Sequence, residues 1–112
     1  MSIGEHESGT DRIAEAAASI DAEIIVNVQG DEPFIDPAVI SRLLVASQDR
    51  PEADILTLVT PFGNPEEVAN PGMVKAVLAQ DGRALYFSRA AVPYHREEAD
   101  PAPVYYRPLG LY

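Results

Sequence analysis

The strongest constraint on the fold is the apolar run Ile24-Ile25-Val26, which lies within residues 23–28 and is rich in β-branched side chains. A strand that is apolar on both faces must be covered on both sides, as in the parallel sheets of α/β proteins. We therefore predict a buried parallel strand over residues 23–28. Apolar residues at helical spacing predict a helix on either side of it, at residues 8–20 and at about 37–48.

The rest of the chain continues the alternation and then departs from it. Residues 54–60 form a second apolar run, and the order helix, strand, helix, strand predicts an α/β fold. Asp81-Gly82 lies between two further apolar runs, which is a strong hairpin signal. The remaining predicted elements are a short helix after Asn64, strands at about 73–79 and 84–88, a loop over 93–103 and a strand that starts at Val104.

Charge restricts the partners that such a chain can bind. Its 112 residues carry a formal net charge of −10 and include one lysine, Lys75. An acidic surface repels a phosphate backbone, so we expect no nucleic-acid partner. A free triphosphate would also be repelled unless a metal ion or a local basic group intervened. We expect no membrane partner either, because no apolar run approaches the roughly 18 residues that a span requires.

The segment from Gln29 to Pro33 follows directly after the predicted buried strand. Open α/β sheets bind ligands at the carboxyl ends of their strands. Gly30 would let a ligand approach the backbone, and the Asp31 carboxylate suits Mg²⁺, which prefers oxygen ligands and bridges to phosphates. The same residues also fit a solvated polar turn that ends at Pro33, so both readings remain open.

Two other segments combine polar groups in ways that serve binding. Ser8-Gly9-Thr10 precedes a predicted helix and offers hydroxyls and free backbone N–H groups to a base or an anion. An ordinary helix cap with a permissive glycine explains the same residues. Arg89, which follows the predicted strand 84–88, could pair with a substrate carboxylate or form a structural ion pair.

Together, three segments resemble one known family, the 3-deoxy-manno-octulosonate cytidylyltransferases, also called CMP-Kdo synthetases. They occur in the family's order and cover essentially the whole chain. The segments are Ser8-Gly9-Thr10-Asp11-Arg12, Ile25-Val26-Asn27-Val28-Gln29-Gly30-Asp31-Glu32-Pro33 and Ala84-Leu85-Tyr86-Phe87-Ser88-Arg89-Ala90-Ala91-Val92-Pro93.

The resemblance implies an activity, a metal and a set of site residues. Enzymes of this family couple CTP to Kdo with Mg²⁺, which yields CMP-Kdo and pyrophosphate. They serve lipopolysaccharide biosynthesis in the cytoplasm and act as homodimers. By resemblance, Asp31 is the catalytic Mg²⁺ ligand and Gln29 contacts Kdo. Arg89 lies near the sugar, and Ser8, Gly9 and Thr10 line the cytidine pocket.

The resemblance also implies a partial Rossmann-like nucleotidyltransferase sheet with helices on both faces and a β-hairpin. Residues 1–112 are then the central fragment of one domain, with a nucleotide-binding part at about 1–60 and a sugar-side part at about 61–112. The family's basic phosphate loop should precede residue 1, so we expect the fragment alone to be inactive. Pro108 stands where the family has a histidine in the sugar site.

Two alternative functions remain open at this stage. One is a cytidylyltransferase for another acidic sugar, since Gly30-Asp31-Glu32 with its neighbours would also suit related sugar nucleotidyltransferases. The other is an acidic nucleotide- or protein-binding module without chemistry of its own. An Arg- and Lys-rich phosphate loop upstream in the same reading frame would favour an enzyme.

Overall fold

A computed structural model describes residues 4–30, 34–96 and 101–112. These residues form a mixed α/β fold, which confirms the predicted class. The elements are α1 (Gly9–Ala17), α2 (Pro37–Asp49), β1 (Val59–Pro61), α3 (Pro65–Ala69), β2 (Lys75–Leu78), β3 (Ala84–Ser88) and β4 (Tyr106–Pro108).

The two longer helices begin where local capping chemistry places them. The Ser8 hydroxyl accepts a hydrogen bond from the Asp11 amide at 3.2 Å at the start of α1. The Asp36 carboxylate accepts from the Ala38 amide at 2.9 Å at the start of α2. Each contact satisfies one of the backbone donors that the first helical turn leaves unpaired. The helix predictions for both regions are confirmed, although α1 ends at Ala17 rather than near residue 20.

A four-stranded antiparallel sheet in the order β1-β4-β2-β3 occupies the second half of the chain. β2 and β3 form the predicted hairpin, with Lys75 opposite Ser88. β4 pairs with both β1 and β2 and ties the hairpin to the rest of the sheet. β3 is an edge strand with Leu85 and Tyr86, on its opposite faces, both at least half exposed.

The prediction of a buried parallel strand over residues 23–28 needs correction. Only Val28 makes a bridge, and its partner Leu111 runs antiparallel to it. Ile24 is 51 % exposed and Ile25 is 40 % exposed. The apolar run favours a strand only when neighbouring strands supply hydrogen bonds and cover both faces. Within the described residues, no strand lies beside residues 23–26. The second predicted strand, residues 54–60, also needs correction, because residues 54–58 are not in a strand and β1 covers Val59–Pro61.

The last three residues join the two halves of the chain, and we call residues 110–112 the seam. The Asn27 amide donates to the Tyr112 carbonyl at 2.7 Å, and the Gln29 amide donates to the Gly110 carbonyl at 2.9 Å. The Thr57 hydroxyl donates to the Leu111 carbonyl at 2.8 Å. Leu111 itself is fully buried, at 0 % exposed.

None of the helices in the described ranges is long and apolar enough to cross a membrane.

The turn between β2 and β3 is held by an ion pair between Asp81 and Arg83. Gly82 adopts a φ of 87°, which favours glycine because other residues are strained there. The Asp81 carboxylate accepts from the Arg83 amide at 3.1 Å and from its Nε at 2.9 Å. The amide first, and the guanidinium after it, hold the pKa of Asp81 below its ordinary value of 3.8, although partial desolvation opposes them.

Replacement of Leu111 by alanine tests the importance of the seam. Loss of a fully buried leucine side chain removes its packing and leaves a cavity, so we expect the free energy of unfolding to fall by about 2–5 kcal/mol. Leu85→Ala is the matched control, because Leu85 is 61 % exposed and should cost less than about 1 kcal/mol. Urea unfolding measures both. Equal losses in the two variants would contradict a core at Leu111.

The contact between Asp81 and Arg83 can be tested by titration of the Asp81 carboxyl group. Arg83→Ala should raise the pKa of Asp81 only part of the way to its ordinary value, because the residue-83 amide still donates. Because folding lowers the pKa of Asp81, its contacts with Arg83 stabilise the hairpin above pH 3.8. This stabilisation is lost as the pH falls through the lowered pKa of the folded protein. Carboxyl ¹³C NMR measures the shift, and Arg42→Ala on α2 should leave it unchanged. If the pKa of Asp81 is the same in Arg83→Ala as in the parent protein, the Arg83 side chain does not lower it.

Candidate functional site

The first predicted segment lies at the amino end of α1. The Ser8 hydroxyl is occupied as the helix cap and also donates to the Asp11 carboxylate at 2.6 Å. The Thr10 hydroxyl is hydrogen bonded to the Tyr112 hydroxyl at 2.8 Å, across 102 residues of sequence. The helix-cap reading of Ser8 is therefore confirmed, whereas Thr10 has a long-range partner that a simple cap does not require.

Gly9 and Gly30 are exposed, with open space where a Cβ would stand. A Cβ added to either residue would meet no atom of the described residues within 4 Å. Neither residue has a positive φ, since Gly82 alone has one among the described glycines. Neither steric crowding nor backbone conformation therefore requires glycine at these positions. An open glycine leaves room for a ligand to approach the backbone, and Gly63, outside the motif segments, is open in the same way.

The seam contacts both the Ser8-Gly9-Thr10 segment and the segment that begins at Gln29. Gln29 pairs through its amide with Gly110, and its side chain is exposed. Tyr112 lies at the other end of the seam, where its backbone pairs with Asn27 and its hydroxyl meets Thr10. Thr10 and Gln29, which the sequence places 19 residues apart, are thus linked to one short segment, Thr10 through the Tyr112 side chain and Gln29 through the Gly110 backbone.

Asp31 directly follows Gly30 in the chain but lies outside the described residues. In ranges 4–30, 34–96 and 101–112, no three His, Cys, Asp or Glu side chains are grouped to hold a metal ion. Mg²⁺ usually takes only one or two protein carboxylates and completes its shell with water and substrate phosphates. The chemistry of a lone aspartate therefore fits such an ion, and its role remains a prediction.

Arg89 follows the last residue of β3 and is exposed. Its Nη1 donates to the Pro71 carbonyl at 2.9 Å. None of the ion pairs within the described ranges involves Arg89, so the structural ion-pair reading gains no support there. One edge of its guanidinium group is anchored, and the other N–H groups have no acceptor among the described residues.

The hairpin end that carries Arg89 is separate from the seam. Among the described residues, no hydrogen bond joins Arg89 to Thr10, Gln29 or Tyr112. In the sheet, β2 separates β3, which leads to Arg89, from β4, which leads to the seam. The predicted site residues therefore form two clusters: Ser8, Gly9, Thr10 and Gln29 along the seam, and Arg89 at the end of the hairpin.

Two residues near these clusters were missed from the sequence. Lys75 is 1 % exposed, and its Nζ donates to the Asn70 carbonyl at 2.8 Å and to the Arg89 carbonyl at 3.0 Å. His6 lies 2.5 Å from the Glu15 carboxylate, which ties the segment before Ser8 to α1. A lone lysine at a predicted strand position was the available signal for Lys75, and the sequence offered no signal for the pairing of His6 with Glu15.

An open groove of about 630 Å³ lies between α1, α2 and the segments 23–27 and 53–56. Thr10 and Tyr112 lie on its wall, but most of its lining is apolar, and Arg50 is the one basic side chain among the described residues that line it. A triphosphate requires several donors or a cation, so this groove does not match the phosphate chemistry that the resemblance implies.

Comparisons with known proteins agree with the motifs. The cytidylyltransferase family matches residues 1–112. The chain is similar to the 3-deoxy-manno-octulosonate cytidylyltransferase of Flavobacterium johnsoniae, with 46 % identity over 100 % of this chain and 46 % of the relative. The enzyme of the same name from Acidobacterium capsulatum is 51 % identical over 94 % of this chain and 42 % of the relative.

A solved structure agrees with the sequence relatives. The fold resembles that of CMP:2-keto-3-deoxy-manno-octonic acid synthetase complexed with CTP, with a TM-score of 0.84 and 40 % identity over 96 % of this chain and 43 % of that one. The chain thus spans a little under half the length of the curated relatives that it matches. Because the family match covers every residue, this protein belongs to the cytidylyltransferase family.

Proposed function

We propose that this protein takes part in the transfer of a cytidylyl group from CTP to Kdo, giving CMP-Kdo and pyrophosphate. The anomeric hydroxyl of Kdo would attack the α-phosphorus, and pyrophosphate would leave. The observation that carries the proposal is the link that the seam makes between two motif segments, because Thr10 contacts Tyr112 and Gln29 contacts Gly110. The similarity to a synthetase whose solved structure holds CTP supports the same substrate.

The seam side is proposed to bind the nucleotide. The open backbone at Gly9 leaves room for a planar base, and free N–H groups in the first turn of α1 can donate to its edge. Thr10 keeps a hydroxyl oxygen within this region while its partner Tyr112 fixes its position. Ser8 contributes indirectly, because its hydroxyl is committed to the cap that starts the helix.

The sugar acid is proposed to bind through the side chains of Gln29 and Arg89. The carboxylate of Kdo suits a guanidinium group, which forms two parallel charge-assisted hydrogen bonds with such a partner. Arg89 retains donors after its contact with Pro71. The exposed Gln29 amide can both donate to and accept from sugar hydroxyls. The sugar acid would then have to reach from the seam cluster to the separate cluster at the end of the hairpin.

Asp31 is proposed to hold Mg²⁺ beside the triphosphate, where the ion would neutralise phosphate charge and polarise the α-phosphorus. The chain's formal charge of −10 supports the requirement for such a cation. Residues 1–60 would mainly serve the nucleotide and 61–112 the sugar. We further propose a role in lipopolysaccharide biosynthesis in the cytoplasm, as a homodimer.

Gly9→Ala is a test of nucleotide contact that does not depend on folding. Alanine meets no neighbouring atom there and suits a helix at least as well as glycine, so stability should stay within about 1 kcal/mol. An added methyl group should obstruct the base, and we expect the KM for CTP to rise about tenfold, which corresponds to about 1.4 kcal/mol. Steady-state kinetics of the complete gene product that contains residues 1–112 measures it.

Gly63→Ala is the matched control for this experiment. Gly63 is also exposed, lacks a positive φ and has open space around an added Cβ. It lies between β1 and α3, outside both clusters. Its KM for CTP should stay at the parent value. A normal KM in Gly9→Ala, or the same rise in both variants, would rule out close nucleotide contact at Gly9.

Asp31→Asn tests the metal proposal. The amide keeps the size of the side chain and removes its charge, so folding should survive. We expect kcat to fall by roughly a hundredfold or more, because loss of a stabilising group at the reacting centre costs about 3–4 kcal/mol. Glu32→Gln, a neighbouring acid, should change stability by less than about 0.5 kcal/mol and leave turnover near normal.

Both variants are compared across a Mg²⁺ titration. A higher Mg²⁺ requirement confined to Asp31→Asn supports a ligand role for Asp31. Normal activity in that variant would remove Asp31 from the metal site. Equal losses in the two variants would mean that the roles of Asp31 and Glu32 have been divided wrongly.

A further inference from the structure

Lys75 is a buried cation whose charge the described residues do not pair with an acid. It is 1 % exposed on β2, and its Nζ donates to two backbone carbonyls, those of Asn70 and Arg89. Lysine is seldom fully buried, because removal of an ammonium group from water is costly unless hydrogen bonds or an opposite charge compensate. The chain's only lysine therefore occupies a position at which an apolar residue would fold more easily.

Both acceptors of Lys75 belong to the surroundings of Arg89. One is the backbone carbonyl of Arg89 itself, at 3.0 Å. The other is Asn70, in the same turn as Pro71, which accepts from the Arg89 guanidinium at 2.9 Å. Lys75 thus fastens the backbone of Arg89 to the turn that also holds the Arg89 side chain.

The strand register explains why Arg89 requires this contact. Lys75 lies opposite Ser88, the last residue of β3, so the ladder ends just before Arg89. The chain then turns, and the Ser88 hydroxyl accepts from the Ala90 amide at 3.1 Å. The Lys75 ammonium group takes the place of a ladder partner and fixes the backbone from which the guanidinium group extends.

We propose that Lys75 is a positioning residue for the sugar acid. It holds Arg89 so that the free guanidinium donors face a carboxylate, and its buried charge adds to the attraction for an anion in an otherwise acidic chain. A guanidinium group fixed in advance loses less entropy when it binds. The inference rests on the proposed role of Arg89 in sugar-acid binding, and it assigns to Lys75 a role separate from general folding.

Steady-state kinetics distinguishes a role of Lys75 in positioning Arg89 from a role in folding alone. In the complete gene product, Lys75→Met keeps most of the side-chain volume and removes the charge and donors. The KM for Kdo should rise about tenfold, while kcat and the KM for CTP stay within about twofold. Arg83→Met is the control, since Arg83 is a cation at the opposite end of the same hairpin. It should leave all three constants unchanged.

Amide hydrogen exchange tests positioning without reference to activity. Lys75→Met should accelerate exchange at the amides of residues 70, 72, 73 and 88–90 and leave α2 at the parent rate. If the parent protein does not turn over CTP and Kdo, the proposed function fails, and exchange alone then judges whether Lys75 positions Arg89. Unchanged exchange, or equal acceleration throughout the chain, would overturn the positioning role.

A second variant covers a failure of Lys75→Met to fold. Lys75→Gln retains N–H donors for a carbonyl acceptor but lacks the charge and the full reach. It should give a KM for Kdo between those of the parent and Lys75→Met. Equal rises in the KM values for Kdo and CTP in either folded variant would mean that Lys75 serves the fold alone.

Discussion

The antiparallel pairing between residues 27–29 and the seam at 110–112 is the interaction on which the two halves of the described structure depend. Backbone hydrogen bonds from Asn27 and Gln29 reach Tyr112 and Gly110, and Leu111 between them is fully buried. Such a pairing closes a loop of about 80 residues, whose entropic cost grows only slowly with loop length. A few hydrogen bonds and one buried leucine therefore bring α1 and the segment around Gln29 next to residues 110–112.

Electrostatics sets the second requirement. A chain with a net charge of −10 must present cations locally if it binds a sugar acid and a triphosphate. Arg89, with Lys75 buried behind it, concentrates two positive groups at one end of the hairpin, and no described ion pair neutralises either of them. The proposed Mg²⁺ at Asp31 would meet the same requirement on the nucleotide side.

Local chemistry was readable from the sequence, and long-range pairing was not. Ser8 and Asp36 start helices because a side chain two or three residues away caps a backbone donor, and Asp81-Gly82 makes a turn by itself. Residues 23–28 were mispredicted as a buried parallel strand because a strand depends on neighbours that lie far away in sequence. The contacts of Thr10 with Tyr112 and of Lys75 with Arg89 could not be predicted for the same reason. Among site residues, Gly9, Thr10, Gln29 and Arg89 lie where substrate could reach them, and Asp31 is outside the described residues.

The most direct measurement is ³¹P NMR of the complete gene product mixed with CTP, Kdo and Mg²⁺. The account predicts that the CTP signals are replaced by those of CMP-Kdo and pyrophosphate in equal amounts, and that no reaction occurs when Kdo is left out. A folded protein that binds CTP but releases no pyrophosphate with Kdo, or that reacts only with another acidic sugar, would contradict the account.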